Sequence, residues 1–152
     1  MGGKNQKNST ETYYIYKFQT QKRKRAGNTN SMILNIDTTK RERIILRLYD
    51  GKILKCFEFE TERQSEDLLV AIDGVLKNNK LELKNLKAIL VNCGPGSFTG
   101  VRVGVTTANT LGWILNIPVI GYRDGELEKA LAKISENKPA KFFSLALPYY
   151  GK

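Results

Sequence analysis

Gly100, Gly104, Ala108 and Gly112 recur at intervals of four, and this spacing constrains the chain more than any other feature of it. Residues four apart share one face of a helix, so these four form a ridge almost without side chains. Three glycines cost an isolated helix about 3 kcal/mol relative to alanine. A neighbouring backbone that comes close offsets such a cost, and the neighbour is either the domain's own sheet or a helix of another subunit. The spacing leaves both open.

The ridge follows NCGPGSFTGVRVG at 92–104, a glycine-rich handover from a short apolar run to a helix. Three familiar glycine motifs fail on spacing. A Walker loop ends in Gly-Lys-Ser/Thr, whereas Val101 follows Gly100; a dinucleotide fingerprint needs glycine at Thr99; a nucleophile elbow around Ser97 needs glycine where Pro95 stands. Amides after Gly96 lie at a helix N-terminus and could still meet an anion. Ser97 and Thr99 read as cap residues, since no base stands beside them.

Around this segment the pattern is β-β-β-α-β-α-β-α. MILNID, RIILRLYD and KILKCFEFE are short β runs, the last two joined at Asp50-Gly51, a favoured two-residue hairpin turn. SEDLLVAIDGVLKNN sets Leu68, Leu69, Ile72, Val75 and Leu76 at helical spacing, with Ser65 as the expected cap. LKAILVNC is a buried parallel strand, followed by the ridge helix to about Asn116, the strand IPVIGY, the amphipathic helix DGELEKALAKISEN and an extended KFFSLALPYY. A hairpin meander followed by two right-handed crossovers gives a mixed five-stranded sheet, three antiparallel strands then two parallel, with helices on its faces. That is the α/β layout of a ribonuclease H-like lobe, which is also half of an actin-like molecule.

Composition narrows the chemistry. The 152 residues include no histidine, and Cys56 and Cys93 form no CxxC pair, which excludes the usual zinc sites and any histidine-based triad. Residues 1–31 carry seven Lys/Arg against Glu11 alone, six of the chain's net +10 charges. They are read as a basic, disordered tail, and residues 32–152 as the folded domain. With no apolar N-terminal core and no uninterrupted apolar span, the chain is expected to be cytoplasmic and free of the membrane.

The segments ILNIDTT at 33–39, SEDLLVAIDGVL at 65–76 and LKAILVNCGPGSFTGVRVGVTTANTLGWILNIPVIGY at 86–122 resemble the TsaB family, non-catalytic subunits of the bacterial tRNA threonylcarbamoyladenosine machinery. The signature consists of Gly94, Pro95, Gly96, Ser97, Phe98 and Thr99, followed by Arg102. The resemblance implies an actin-like first lobe whose two main helices pair with a TsaD-type catalytic subunit. It also implies a TsaE-type ATPase in the same complex and tRNA as the modified molecule, reached indirectly. The expected partner face is Leu69, Ile72 and Leu76 on one helix with Gly100, Gly104, Ala108 and Gly112 on the other. No cofactor and no metal is expected of the chain itself. Family members usually continue into a second lobe, so the chain is read as a short, one-lobe form. Without its partner, an apolar helix pair would find its own copy as a homodimer.

Asp37 ends the first strand, where a ribonuclease H-like nuclease keeps a metal carboxylate, so a metal-dependent nuclease is the alternative reading. The strand that should supply a second acid ends in Asn92, and Asp37 is therefore read as a structural acid. In the tail, YYIYKF and KRKR pair stackable rings with phosphate-seeking cations, an arrangement suited to nonspecific RNA contact.

Overall fold

The computed structural model describes residues 31–52, 54–135 and 145–151. The expected basic tail lies outside them, as does the start of the extended KFFSLALPYY run.

Strands β1 (Met32–Asp37), β2 (Arg43–Tyr49) and β3 (Leu54–Glu60) form the meander. Helix α1 (Gln64–Asn78) leads through a short 3-10 turn (Leu83–Asn85) to β4 (Leu86–Asn92). Helix α2 (Phe98–Leu115), β5 (Val119–Tyr122) and α3 (Leu127–Ser135) complete the order. The sheet runs β3-β2-β1-β4-β5, with β1 antiparallel to β2 and parallel to β4. This is the ribonuclease H-like, actin-like arrangement expected from the element order.

Alternation along β1 explains the two layers. Leu34 and Ile36 point into the larger core with Leu68, Ile72, Val75, Val101, Val105 and Ala108 of α1 and α2. Ile33 faces the other way, joining Leu90, Tyr122 and Ala130 under α3. β4 is covered on both faces and so reads as a continuous apolar run.

Two local expectations are corrected. The β2–β3 hairpin pairs Tyr49 with Leu54, so Asp50-Gly51 alone does not join the strands. Asp50 Oδ1 accepts from Lys52 N at 2.9 Å, and Gly51 takes a φ of +99° that a side chain would resist. Helix α1 begins before Ser65, with Arg63 at the cap position. The cause lies in its neighbours: Gln64 Nε2 donates to Arg43 O at 2.7 Å and Lys40 O at 3.0 Å, pinning the first turn to the β1–β2 loop. Thr61 Oγ1 in turn donates to Asp67 Oδ2 at 2.5 Å.

Candidate functional site

The glycine segment is an interlock between the ends of two elements. After Asp37, Thr38 and Thr39 leave β1 and run against residues 96–104. Thr38 Oγ1 donates to Gly100 O at 2.6 Å, and Ser97 N donates to Thr39 O at 2.7 Å. A Cβ on Gly96 would stand 2.6 Å from the Thr39 backbone oxygen. One on Gly100 would meet Thr38 O, and one on Gly104 the Thr38 hydroxyl, both closer than atoms approach. Ser97 caps α2 by accepting from Gly100 N at 3.2 Å, as expected of a cap residue. Gly94, after which the peptide to Pro95 is cis, has a φ of +100°. Ser97 N bonded to Thr39 and Gly100 N bonded to Ser97 are two amides that a phosphate cradle here could no longer use freely.

The same geometry corrects the partner-face assignment. The ridge docks on the chain's own sheet: Gly104 meets Thr38 and Ile36, Ala108 is fully buried, and Gly112 is pressed against the Val119 side chain. Ile72 and Leu76 lie in the same core. Of the seven residues expected at a partner seam, six are buried within this chain, and Leu69 alone stands out, 57% exposed. Intimate packing was the right inference from the ridge, but the packing is on β1, β4 and β5.

The outward surface of α1 and α2 lies elsewhere on those helices. Phe98 is 58% and Trp113 71% exposed, large rings whose burial against a second surface would be favourable. Between the helices a groove of about 370 Å³ is lined by Ser65, Phe98, Thr99, Arg102, Val103 and Thr106. The Arg102 guanidinium lies 5.2 Å from the Phe98 ring centroid. Phe98, Thr99 and Arg102 of the signature thus reach the surface, while Gly96, Ser97 and Gly100 hold the loop against β1.

On the sheet face toward α3, the carboxyl ends of β1, β4 and β5 carry a polar cluster. Asn92 Nδ2 donates both to Asp37 Oδ2 at 3.0 Å and to Asp124 Oδ1 at 2.9 Å, so an amide bridges the two acids. Asn92 Oδ1 accepts from Gly94 N at 3.0 Å, which fixes the amide's orientation. Asp37 Oδ1 is taken by Thr39 N and Thr39 Oγ1, and Arg47 stands 3.9 Å from Oδ2. Arg47 also donates to Asn35 Oδ1 at 2.7 Å, and Asn35 Nδ2 donates to the Tyr122 hydroxyl at 2.7 Å. Burial, and then the negative charge of Asp37, push the Tyr122 phenol well above its ordinary range.

Asp124, Arg47 and Tyr122 were not legible as members of this cluster. The one available signal was Arg47, a charge inside the apolar run that follows Arg43 in RIILRLY. The donor set does not suit a two-metal nuclease: the position between the carboxylates presents N–H hydrogens, and Asp37 already accepts three hydrogen bonds.

Fold and site together define an actin-like, ribonuclease H-like lobe in which an asparagine amide bridges the carboxylates at the strand ends. Residues 58–140 match the family described as TsaD: tRNA N6-adenosine threonylcarbamoyltransferase, and the chain belongs to that family. Among its relatives, TsaB of Haemophilus influenzae is 35% identical over 91 residues, 60% of this chain and 39% of that protein. TsaB of Bacillus subtilis is 38% identical over 88 residues, 57% of this chain and 38% of that protein. Both are named tRNA threonylcarbamoyladenosine biosynthesis proteins. In three dimensions the chain is similar to YeaZ from Pseudomonas aeruginosa, with a TM-score of 0.57 and 27% identity over 70% of this chain and 50% of that one. The matches span about four tenths of the length of the curated relatives. The TsaB resemblance read from the GPGSFTG signature therefore holds.

Proposed function

We propose that the chain is a non-catalytic scaffold subunit that pairs with a TsaD-type catalytic subunit in the N6-threonylcarbamoylation of adenosine 37 of tRNA. The observation that carries this reading is the combination of the family match, which takes in α1, β4, α2 and β5, with the exposed apolar residues on those helices. Leu69, Phe98 and Trp113 are the contact residues proposed, with the buried ridge as the scaffold that holds α2 in place. The amide-bridged carboxylates support a silent site, since both acids already have a donor between them. A TsaE-type ATPase in the same complex, tRNA contact through residues 1–31, self-pairing in the partner's absence and a cytoplasmic location belong to the same proposal. No helix among the described residues is long and apolar enough to cross a membrane.

The test is to mix the full chain with a TsaD-type subunit, follow association by sedimentation, and measure threonylcarbamoyl transfer to tRNA with and without the chain. Association and a gain in transfer are expected. Two particles that sediment independently, or transfer by this chain by itself, would sink the proposal.

A further inference from the structure

We propose that residues 145–151 form a latch over the crevice at the carboxyl ends of β4 and β5, and that Asn109 is its positioning residue. The segment has no helix or strand structure, yet its anchors are specific. Asn109 Nδ2 donates to Ala146 O and Ala146 N donates to Asn109 Oδ1, both at 3.0 Å, so one side chain of α2 pairs with a backbone unit as a neighbouring strand would. Tyr149 N donates to Cys93 O at 2.7 Å. The Tyr150 ring stacks on Phe98 with centroids 4.9 Å apart, and the Arg123 guanidinium lies 4.0 Å from the Tyr149 ring centroid. Gly121 leaves room for the crossing: a Cβ there would stand 2.5 Å from Cys93 Sγ and 3.1 Å from Ala146 Cβ.

The latch is fastened at points rather than packed along its length. Ala146 is buried, but Leu145 and Leu147 on either side are 58% and 70% exposed. A cavity of about 600 Å³ lies against it, lined by β5 from Val119 to Tyr122 and by Cys93, Arg123 and Glu126 together with latch residues. A segment with few buried apolar contacts opens at lower free energy than the domain it covers. The latch covers the free edge of β5 and the carboxyl end of β4. Opening therefore uncovers Cys93 and the cavity and releases Phe98 from Tyr150. Phe98 is also one of the proposed partner contacts, so the latch is tested on the chain without a partner, where its anchors all lie within the chain.

The test follows labelling of Cys93 by a small disulfide reagent in the full chain carrying Cys56→Ser. Asn109→Ala is expected to label about tenfold or more faster, the ratio that follows from losing two neutral hydrogen bonds. The rate should stay nearly flat at low urea, because latch opening exposes little surface. Tyr150→Ala, which removes a half-exposed ring and leaves α2 intact, should also accelerate labelling and carries the test if Asn109→Ala does not fold. Equal rates in parent and variants overturn the latch. So does a rate that climbs with urea along the full slope of global unfolding.

Discussion

The Thr38 hydroxyl donates to the Gly100 carbonyl at 2.6 Å, fastening the end of β1 to the first turn of α2. Gly104, one turn on, faces the same threonine, with no space for a Cβ beside its hydroxyl. Replacing glycine by alanine on an unobstructed helix face stabilises by about 1 kcal/mol. For Gly104→Ala the sign should reverse, with a loss of about 1–3 kcal/mol from overpacking. Urea denaturation checks this: the midpoint should fall with the slope unchanged. A stabilised variant would mean that the ridge does not bear on β1.

Asn92→Asp should destabilise the fold at neutral pH. The substitution removes the N–H groups that bridge Asp37 and Asp124 and sets a third carboxylate between them, burying unpaired negative charge. A loss of about 3 kcal/mol is expected, the scale for breaking a buried charge network. Clustered carboxylates have raised pKa values in the folded state, so the variant binds protons that its unfolded chain does not. Its deficit should therefore shrink as pH falls from 7 toward 5, as measured by denaturation midpoints across that range. A deficit that is constant with pH would exclude charge repulsion as the cause.

The element order and the mixed five-stranded sheet were legible because hydrophobic period and turn residues are local signals. β4 reads as buried from its apolar run, and α2 from its small-residue spacing. The direction in which the ridge faces was not legible, since a bare helix face suits a sheet and a second helix equally. It is decided by Thr38 and Ile36, which are remote in sequence from α2, and by Val119 of the following strand. The polar cluster was half visible. Asp37 and Asn92 stand at strand ends and invite comparison with a nuclease site, but Asp124 lies in a loop after β5 and Arg47 arrives by strand pairing with Asn35. The helix α1 cap was misread because Gln64 is held by the carbonyls of Lys40 in the β1–β2 loop and Arg43 at the start of β2, which no local cap rule contains.

Tyr122 should give the protein an alkaline limit. Its phenol is shifted upward in the folded state by burial and by the charge of Asp37. The folded chain thus keeps a proton that the unfolded chain releases near pH 10. Stability from this group is fully present below that unfolded value and is lost as pH rises above it toward the folded one. Tyr122→Phe should lower stability by about 1 kcal/mol at pH 7, since Asn35 Nδ2 loses its hydroxyl acceptor. It should also flatten the decline between pH 9 and 11. Urea midpoints measured for both proteins over that window decide the matter, and parallel declines would remove Tyr122 from the account.

Association and stability should separate cleanly on α1 and α2. Leu69 and Trp113 are more than half exposed, whereas Leu76 is 2% exposed in the core. Trp113→Ala and Leu69→Glu should therefore leave the denaturation midpoint almost unchanged, within about 0.5 kcal/mol. Each should weaken binding to a TsaD-type subunit by about 2 kcal/mol or more if it is an anchor of the contact, roughly a thirtyfold rise in Kd. Leu76→Ala should do the reverse, costing about 2–5 kcal/mol of stability through a core cavity, with affinity per folded molecule retained. Calorimetric titration beside thermal melts gives both quantities. If the exposed-residue variants bind as tightly as the parent, the partner face is not on these two helices, and the apolar surface they present must serve another contact.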